Sequence, residues 1–237
     1  MRRKFLLYAI MFSLVSSLFI LPAYSQLASS PWPMFHQNLQ HTGFSWSYTG
    51  PSIPSLAWSY SAGNGVYTSP AIGIDGRVYV GSDDCNIYCL NSAGVLAWSY
   101  GTHAAVESSP AIGSDGGLYV GSEDFNIYCL NSTSRLEWSY RAGGAVYSSP
   151  AIGSDGKLYI GATGTDHNIY CLNSAGGLVW TYSANDFVES SPALGNDGSV
   201  YFGSADKHVY CLNSTGGQVW SYSTAVEVKS SPALGSD

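Results

Sequence analysis

Tryptophan recurs at positions 58, 98, 138, 180 and 220, at intervals of 40, 40, 42 and 40 residues. Pro70, Pro110, Pro150, Pro192 and Pro232 keep the same rhythm. Repetition at a fixed period of this size constrains the fold more than any composition does, because each unit must bury its apolar faces on neighbours of its own kind. From Val146 one unit reads VYSSPAIGSDGKLYIGATGTDHNIYCLNSAGGLVWTY. The two extra residues of this copy fall in GATGTDHN, where its neighbours have GSEDFN and GSADKH, so that stretch is a loop.

Each unit holds four apolar runs separated by turn signals, which predict four strands, A to D: VYSSPAI, KLYIG, NIYCLN and LVWTY. Asp75-Gly76, Asp115-Gly116, Asp155-Gly156 and Asp197-Gly198 join A to B and read as two-residue hairpin turns. NSAG, NSTS and NSTGG turn C into D. In strand C, Ile169 and Cys171 face one way and Tyr170 and Leu172 the other, so both faces are apolar and each sheet needs a neighbour on either side. Four antiparallel strands per 40-residue unit, stacked face to face, describe an all-β propeller. Complete blades are expected at about 66–100, 106–140, 146–182 and 188–222, with Trp58, Trp98, Trp138, Trp180 and Trp220 as wedges between blades. Removing an enclosed indole of this kind costs about 3–5 kcal/mol.

Residues 1–25 read as an export leader: basic MRRK, a 17-residue apolar run, and Ala23 and Ser25 in the small-x-small pattern before Gln26. An uncleaved anchor is the alternative, the run being just short of a membrane span. Residues 26–54 form a lead-in segment and 55–237 a partial propeller. Cleavage would remove Arg2, Arg3 and Lys4, leaving six basic residues against 16 acidic ones and a net charge of −10. That balance argues against nucleic acid or anionic lipid as a partner. A lone D segment, SLAWSY at 55–60, precedes the blades and a lone A segment follows them. The expected reading is a piece of a longer propeller. A short chain pairing with a second copy through open blade edges, or a closed four-bladed ring, are the alternatives.

The unit resembles the PQQ-like propeller repeat. The likeness rests on SSPAIGSDGKLYIGA, on YCLNSAGGLVW beside the family's tryptophan-docking pattern YALDxxTGxxxW, and on PWPMFHQNLQHTGFS beside the bacterial opening WPMFxxDxxxTG. Here Cys stands for the usual Ala and Asn for the usual Asp, and the docking turn is one residue shorter. The quinone enzymes of the family are far longer and carry an adjacent Cys-Cys pair and an acidic calcium cluster. No Cys-Cys pair occurs here. The resemblance therefore implies no quinone and no other cofactor, and points to the non-enzymatic outer-membrane assembly propellers.

Candidate chemistry reads as structure when it repeats in every blade. Cys89, Cys129, Cys171 and Cys211 share one repeat position, at a radius that holds neighbours on the order of 12 Å apart, beyond disulfide reach. Cys85 and Cys89 are also too distant to bridge. Asp84, Asp124, Asp166 and Asp206 recur in the B-to-C turns, where a side chain capping its own turn accounts for them without calcium. His36, His41, His103, His167 and His208 have no metal-ligand spacing, and no Cys-x-x-Cys occurs. No nucleophile elbow or phosphate loop is present, and the serines of SSPA repeat too regularly to be a nucleophile. Asn131 and Asn213 begin glycosylation sequons.

Strand alternation puts A-to-B and C-to-D turns on one rim and B-to-C and D-to-A loops on the other. The second rim diverges from copy to copy, and divergence is where a partner is read. The candidate binding residues are Tyr67, Glu107, Tyr147, Glu189 and Lys229 at the channel mouth, with His103, Arg141, Phe125 and His167 around it. The expected function is an exported, non-catalytic scaffold, periplasmic, extracellular or at the cell surface, binding a protein or small ligand. A fragment of a quinone- or calcium-dependent oxidoreductase and a surface adhesion module are the other readings.

Overall fold

Short apolar runs bounded by Gly and Asp become four four-stranded antiparallel sheets, each in sequential strand order. The computed structural model describes residues 33–38, 40–41, 55–165 and 167–235. The leader, most of the lead-in and Asp166 lie outside the described residues. Blade 1 comprises β1 (Ala71–Ile72), β2 (Val78–Ser82), β3 (Asn86–Leu90) and β4 (Leu96–Gly101). Blade 2 comprises β5 (Ala111–Ile112), β6 (Leu118–Gly121), β7 (Asn126–Leu130) and β8 (Leu136–Arg141). Blade 3 comprises β9 (Ala151–Ile152), β10 (Leu158–Gly161), β11 (Asn168–Leu172) and β12 (Leu178–Ser183). Blade 4 comprises β13 (Ala193–Leu194), β14 (Val200–Ser204), β15 (His208–Leu212) and β16 (Gln218–Ser223). There is no helix among the described residues. The sheets form an unclosed propeller.

Strand C is buried on both faces, as its composition requires: Ile169, Tyr170, Cys171 and Leu172 are all at most 4% exposed. The small thiol has a clear packing role. Cys89 pairs with Tyr79 on one side and Trp98 on the other, and the two rings meet across it with centroids 5.8 Å apart. The arrangement recurs at Tyr119, Cys129 and Trp138 and at Tyr159, Cys171 and Trp180. All five cysteines are free, four of them buried.

Strand A departs from expectation. Only two residues of each predicted seven pair as strand, because serine hydroxyls replace the ladder. Ser108, Ser148 and Ser190 accept the N–H of Gly121, Gly161 and Gly203 through Oγ at 2.8–3.1 Å, and Thr68 does the same for Gly81. The second serine reaches between blades: Ser69, Ser109, Ser149 and Ser191 donate N–H to Oγ of Ser109, Ser149, Ser191 and Ser231, each in the following copy, at 2.9–3.0 Å. A relay of hydroxyls thus ties the innermost segments together around the axis.

The turns also differ from the two-residue hairpins expected. Gly76 donates to the Gly73 carbonyl and Gly73 to the Arg77 carbonyl, with Gly76 at φ 77°: a type I turn closed by a left-handed residue in a three-residue loop. The C-to-D turns use the same geometry with Gly94, Ser134, Gly176 and Gly216, and the B-to-C turns with Cys85, Phe125 and Lys207 at φ 67–76°.

Two contacts set the distance between blades. A Cβ on Gly121 would lie 2.2 Å from Val146 Cγ1 and 2.9 Å from its carbonyl oxygen, and Gly81, Gly161 and Gly203 meet Val106, Val188 and Val228 in the same way. Trp58, Trp98, Trp138 and Trp180 donate Nε1–H to the carbonyls of Ser92, Ser132, Ser174 and Ser214 in the next blade's C-to-D turn. These indoles are half-buried rather than enclosed, so each contributes less than a fully buried wedge, and the expected 3–5 kcal/mol is too high. Trp220, on the last strand described, is 43% exposed. The leading segment 55–60, expected as a strand, pairs with no strand among the described residues, although Trp58 keeps its docking bond.

Residues 33–38 and 40–41 of the lead-in cross the rim of A-to-B turns. Pro33 accepts the Ile112 N–H, Met34 is fully buried in the core, and Gln40 reaches the Leu194 carbonyl and accepts the Leu234 N–H. One short segment therefore touches blade 2, blade 4 and the trailing chain. No helix among the described residues is long and apolar enough to cross a membrane.

Candidate functional site

The divergent loops meet where strand direction puts them. Backbone N–H groups of Asp83, Glu123, Thr163 and Ala205 in B-to-C loops bond the carbonyls of Gly65, Ala105, Ala145 and Phe187 in D-to-A loops. Part of the divergence is internal compensation. In blade 3 the longer B-to-C loop presses on Gly144, where an added Cβ would sit 1.3 Å from the Thr163 carbonyl oxygen. The Gly143-Gly144 pair answers that insertion and is no signal of a partner.

Asp84, Asp124 and Asp206 cap their own turns and also fasten the adjoining D-to-A loop. Asp124 Oδ1 accepts from Asn126, while Oδ2 accepts from Tyr128 Oη at 2.6 Å and from the His103 N–H at 2.9 Å. Asp84 does the same with Asn86, Tyr88 and Gly63, and Asp206 with His208, Tyr210 and Asn185. Burial alone would raise the pKa of Asp124, but these donors outweigh it and hold the carboxyl below the usual carboxylate range. Tyr88 is pushed up to about 12, chiefly by its bond to Asp84. Among the described residues no group of His, Cys, Asp and Glu has the arrangement of a metal centre.

Within this frame Glu107, Tyr147, Glu189 and Lys229, one from each of four consecutive A segments, line an open cavity of about 460 Å³ with Thr163 and Phe187. Lys229 Nζ lies 3.4 Å from Glu189 and 3.5 Å from Glu227. Burial pushes the Glu107 carboxyl up, and the negative charges of Glu123, Asp83 and Glu189 add to the effect. Tyr147 is raised by burial and by Glu123, Glu107 and Glu189. The mouth therefore combines aromatic surface with a negative field. Tyr67 stands apart, 74% exposed, and does not line the cavity.

The surrounding candidates form two smaller groups. Arg141 lies over the Phe125 ring at 5.3 Å and donates to the Asp124 carbonyl. The His103 ring projects into solvent 3.7 Å from Asp124. His167 stacks on Phe187 with centroids 5.4 Å apart, 3.9 Å from Asp186. Phe187, Glu123 and Thr163 were missed by sequence reasoning; Phe187 and Glu123 lie two residues from the predicted Glu189 and Phe125, and Thr163 four from His167, which was the available signal.

A family model of outer membrane protein assembly factor BamB matches residues 55–144, and one of the lambda-carrageenase β-propeller domain matches residues 113–201. Each match covers less than half of the chain, and with the fold they support a β-propeller of PQQ-like repeats. Among solved structures this propeller is similar to BamB from Moraxella catarrhalis, with 20% identity and TM-score 0.55 over 66% of this chain and 48% of that one. Quinohemoprotein alcohol dehydrogenase from Comamonas testosteroni gives 16% identity and TM-score 0.71 over 86% and 42%. Quinohemoprotein alcohol dehydrogenase ADHIIG from Pseudomonas putida HK5 gives 17% and 0.72 over 84% and 41%. The PQQ-like chain thus spans less than half the length of each structure, and at these identities the likeness is one of fold. No curated protein matches it.

Proposed function

We propose that this PQQ-like propeller is an exported, non-catalytic scaffold that holds a partner at the mouth formed by its B-to-C and D-to-A loops. The observation that carries the reading is the convergence of Glu107, Tyr147, Glu189 and Lys229 with Phe187 on one open cavity. The groups that repeat from blade to blade are engaged structurally: the serine hydroxyls hold backbone N–H groups, Asp84, Asp124 and Asp206 accept donors in their own turns, and the strand C thiols are buried. Export rests on the leader-like first 25 residues. An assembly factor among the matching families favours a protein partner over a substrate.

Photo-crosslinking side chains at Tyr147 and Phe187, with Ser154 and Thr215 on the other rim as controls, tests this in the native host. Crosslinks to one partner from the first pair, lost in the Glu107→Gln, Glu189→Gln double variant, are expected. Equal yields from the control pair, or indifference to the double variant, would reject it.

A further inference from the structure

The repeat offers its own comparison at the opposite rim, where the residue after each Asp-Gly turn is Arg77, Gly117, Lys157 and Ser199 in successive blades. In blade 1 the Arg77 guanidinium lies 3.3 Å from Asp75 and donates at 3.1 Å to the Ser132 carbonyl of blade 2, which also accepts the Trp98 indole. In blade 3 Lys157 pairs with Asp155. Blade 2 has the same aspartate, Asp115, with Oδ2 accepting from Tyr119 Oη at 3.2 Å, and its next residue but one is a glycine. The space that a cationic side chain takes in blades 1 and 3 is here a cleft of about 530 Å³ against blade 3, lined by Asp115, Gly117, Tyr119, Glu137, Trp138 and Ser174.

Blade 2 differs a second time at this spot. Glu137 replaces Ala97, Val179 and Val219 of the other copies, placing a second carboxylate in the cleft where its Oε1 accepts from Asn131 at 2.7 Å. The Ser174 carbonyl accepts Trp138 Nε1 at 2.9 Å and is the counterpart of the carbonyl that Arg77 uses. Arg135, on the adjoining turn, makes no ion pair among the described residues. The internal cation is missing, its anion is doubled, its carbonyl acceptor is in place, and an indole flanks the opening.

We propose that this cleft binds an external guanidinium, the arginine side chain of a partner peptide, in the position that Arg77 occupies within blade 1. A planar fork can meet a carboxylate and the carbonyl together, which an ammonium point charge does less well, and an indole face or edge adds a further attraction.

The full chain is titrated with acetyl-Gly-Arg-Gly-amide, the matched lysine peptide and free arginine, while the Trp138 indole N–H resonance and the heat of binding are followed. Saturable binding of the arginine peptide is expected, weakened about tenfold or more by Asp115→Asn and by Glu137→Gln. Gly117→Arg, which restores the sister-blade residue, should abolish it. A Cβ at 117 meets only the movable ends of Asp115 and Tyr119, at 3.1 Å. Gly117→Ser, copying blade 4, should fold equally well and keep binding within about threefold, separating occupancy from misfolding. No saturation by about 20 mM peptide, a dissociation constant far weaker than millimolar, would overturn the proposal. So would wild-type binding by Gly117→Arg, or equal affinity for the lysine peptide. Free arginine binding as tightly as the peptide would show that the ligand is the amino acid and not a chain, and would overturn the peptide assignment.

Discussion

Ser149→Ala isolates one link of the hydroxyl relay between blades. Ser149 is 5% exposed; its Oγ accepts the Ser109 N–H at 3.0 Å, and its own N–H donates to Ser191 Oγ at 2.9 Å. The substitution leaves that second bond intact and orphans the Ser109 amide, itself on a residue only 4% exposed. An unsatisfied buried donor costs about 1–3 kcal/mol, reduced a little because the serine hydroxyl no longer has to be desolvated, so a loss of about 2 kcal/mol is expected. Ser231→Ala removes the same kind of acceptor where water can reach, since Ser231 is only half-buried, and should cost less than about 1 kcal/mol. Urea unfolding followed by tryptophan fluorescence reads both, the comparison holding where the slope with denaturant is unchanged. Ser109→Ala and Ser191→Ala orphan different amides, of Ser69 and Ser149, and should add to within about 0.5 kcal/mol. A Ser149→Ala cost no greater than that of Ser231→Ala would refute the relay.

Gly121→Ala places a methyl against a backbone carbonyl and the Val146 side chain, both fixed in the next blade. It should destabilise by about 2–3 kcal/mol in the same assay, with only partial rescue by Val146→Ala. His41 is buried with Nδ1 on the Pro232 carbonyl at 3.0 Å, and burial, with His36 adding a smaller effect of the same sign, pushes its pKa down to about 4. Because the undocked residue takes up its proton first, near pH 6.5, the lead-in should be fully docked above that value and lose up to about 3 kcal/mol as pH falls to 4. The Met34 methyl resonance should report the release, and a spectrum unchanged from pH 7 to 4 would contradict it. Burial pushes the thiols of Cys89 to about 11 and of Cys129 and Cys171 to about 12. A disulfide reagent at pH 8 should therefore titrate Cys85 alone in the native chain and the other four only on unfolding.

The four four-stranded sheets, their strand order and the two rims were legible because they follow from period and turn residues, which act locally. Strand A was over-read for a physical reason. VYSSPAI has β-compatible residues, yet the pairing it would make with strand B is taken over by side-chain hydroxyls that no periodicity reveals. Tryptophan burial was over-read because a conserved spacing says that an indole docks and not how much of it water still reaches. The mouth was partly legible: Glu107, Tyr147, Glu189 and Lys229 converge, while Phe187 and Glu123 emerge only once neighbouring loops are placed together. The glycine at 117 carried its meaning only beside Arg77 and Lys157 in folded sister blades.

The blades are held together around their axis by serine side chains outside any strand. Native-state hydrogen exchange, resolved residue by residue, measures this directly. The amides of Ser109 and Ser149, which belong to no regular strand, should exchange as slowly as those of β7 and β11, through global unfolding alone. Exchange of these two amides at the rate of an ordinary loop, with β7 and β11 protected, would show that the blades are not tied at their inner edge and would contradict the structure described.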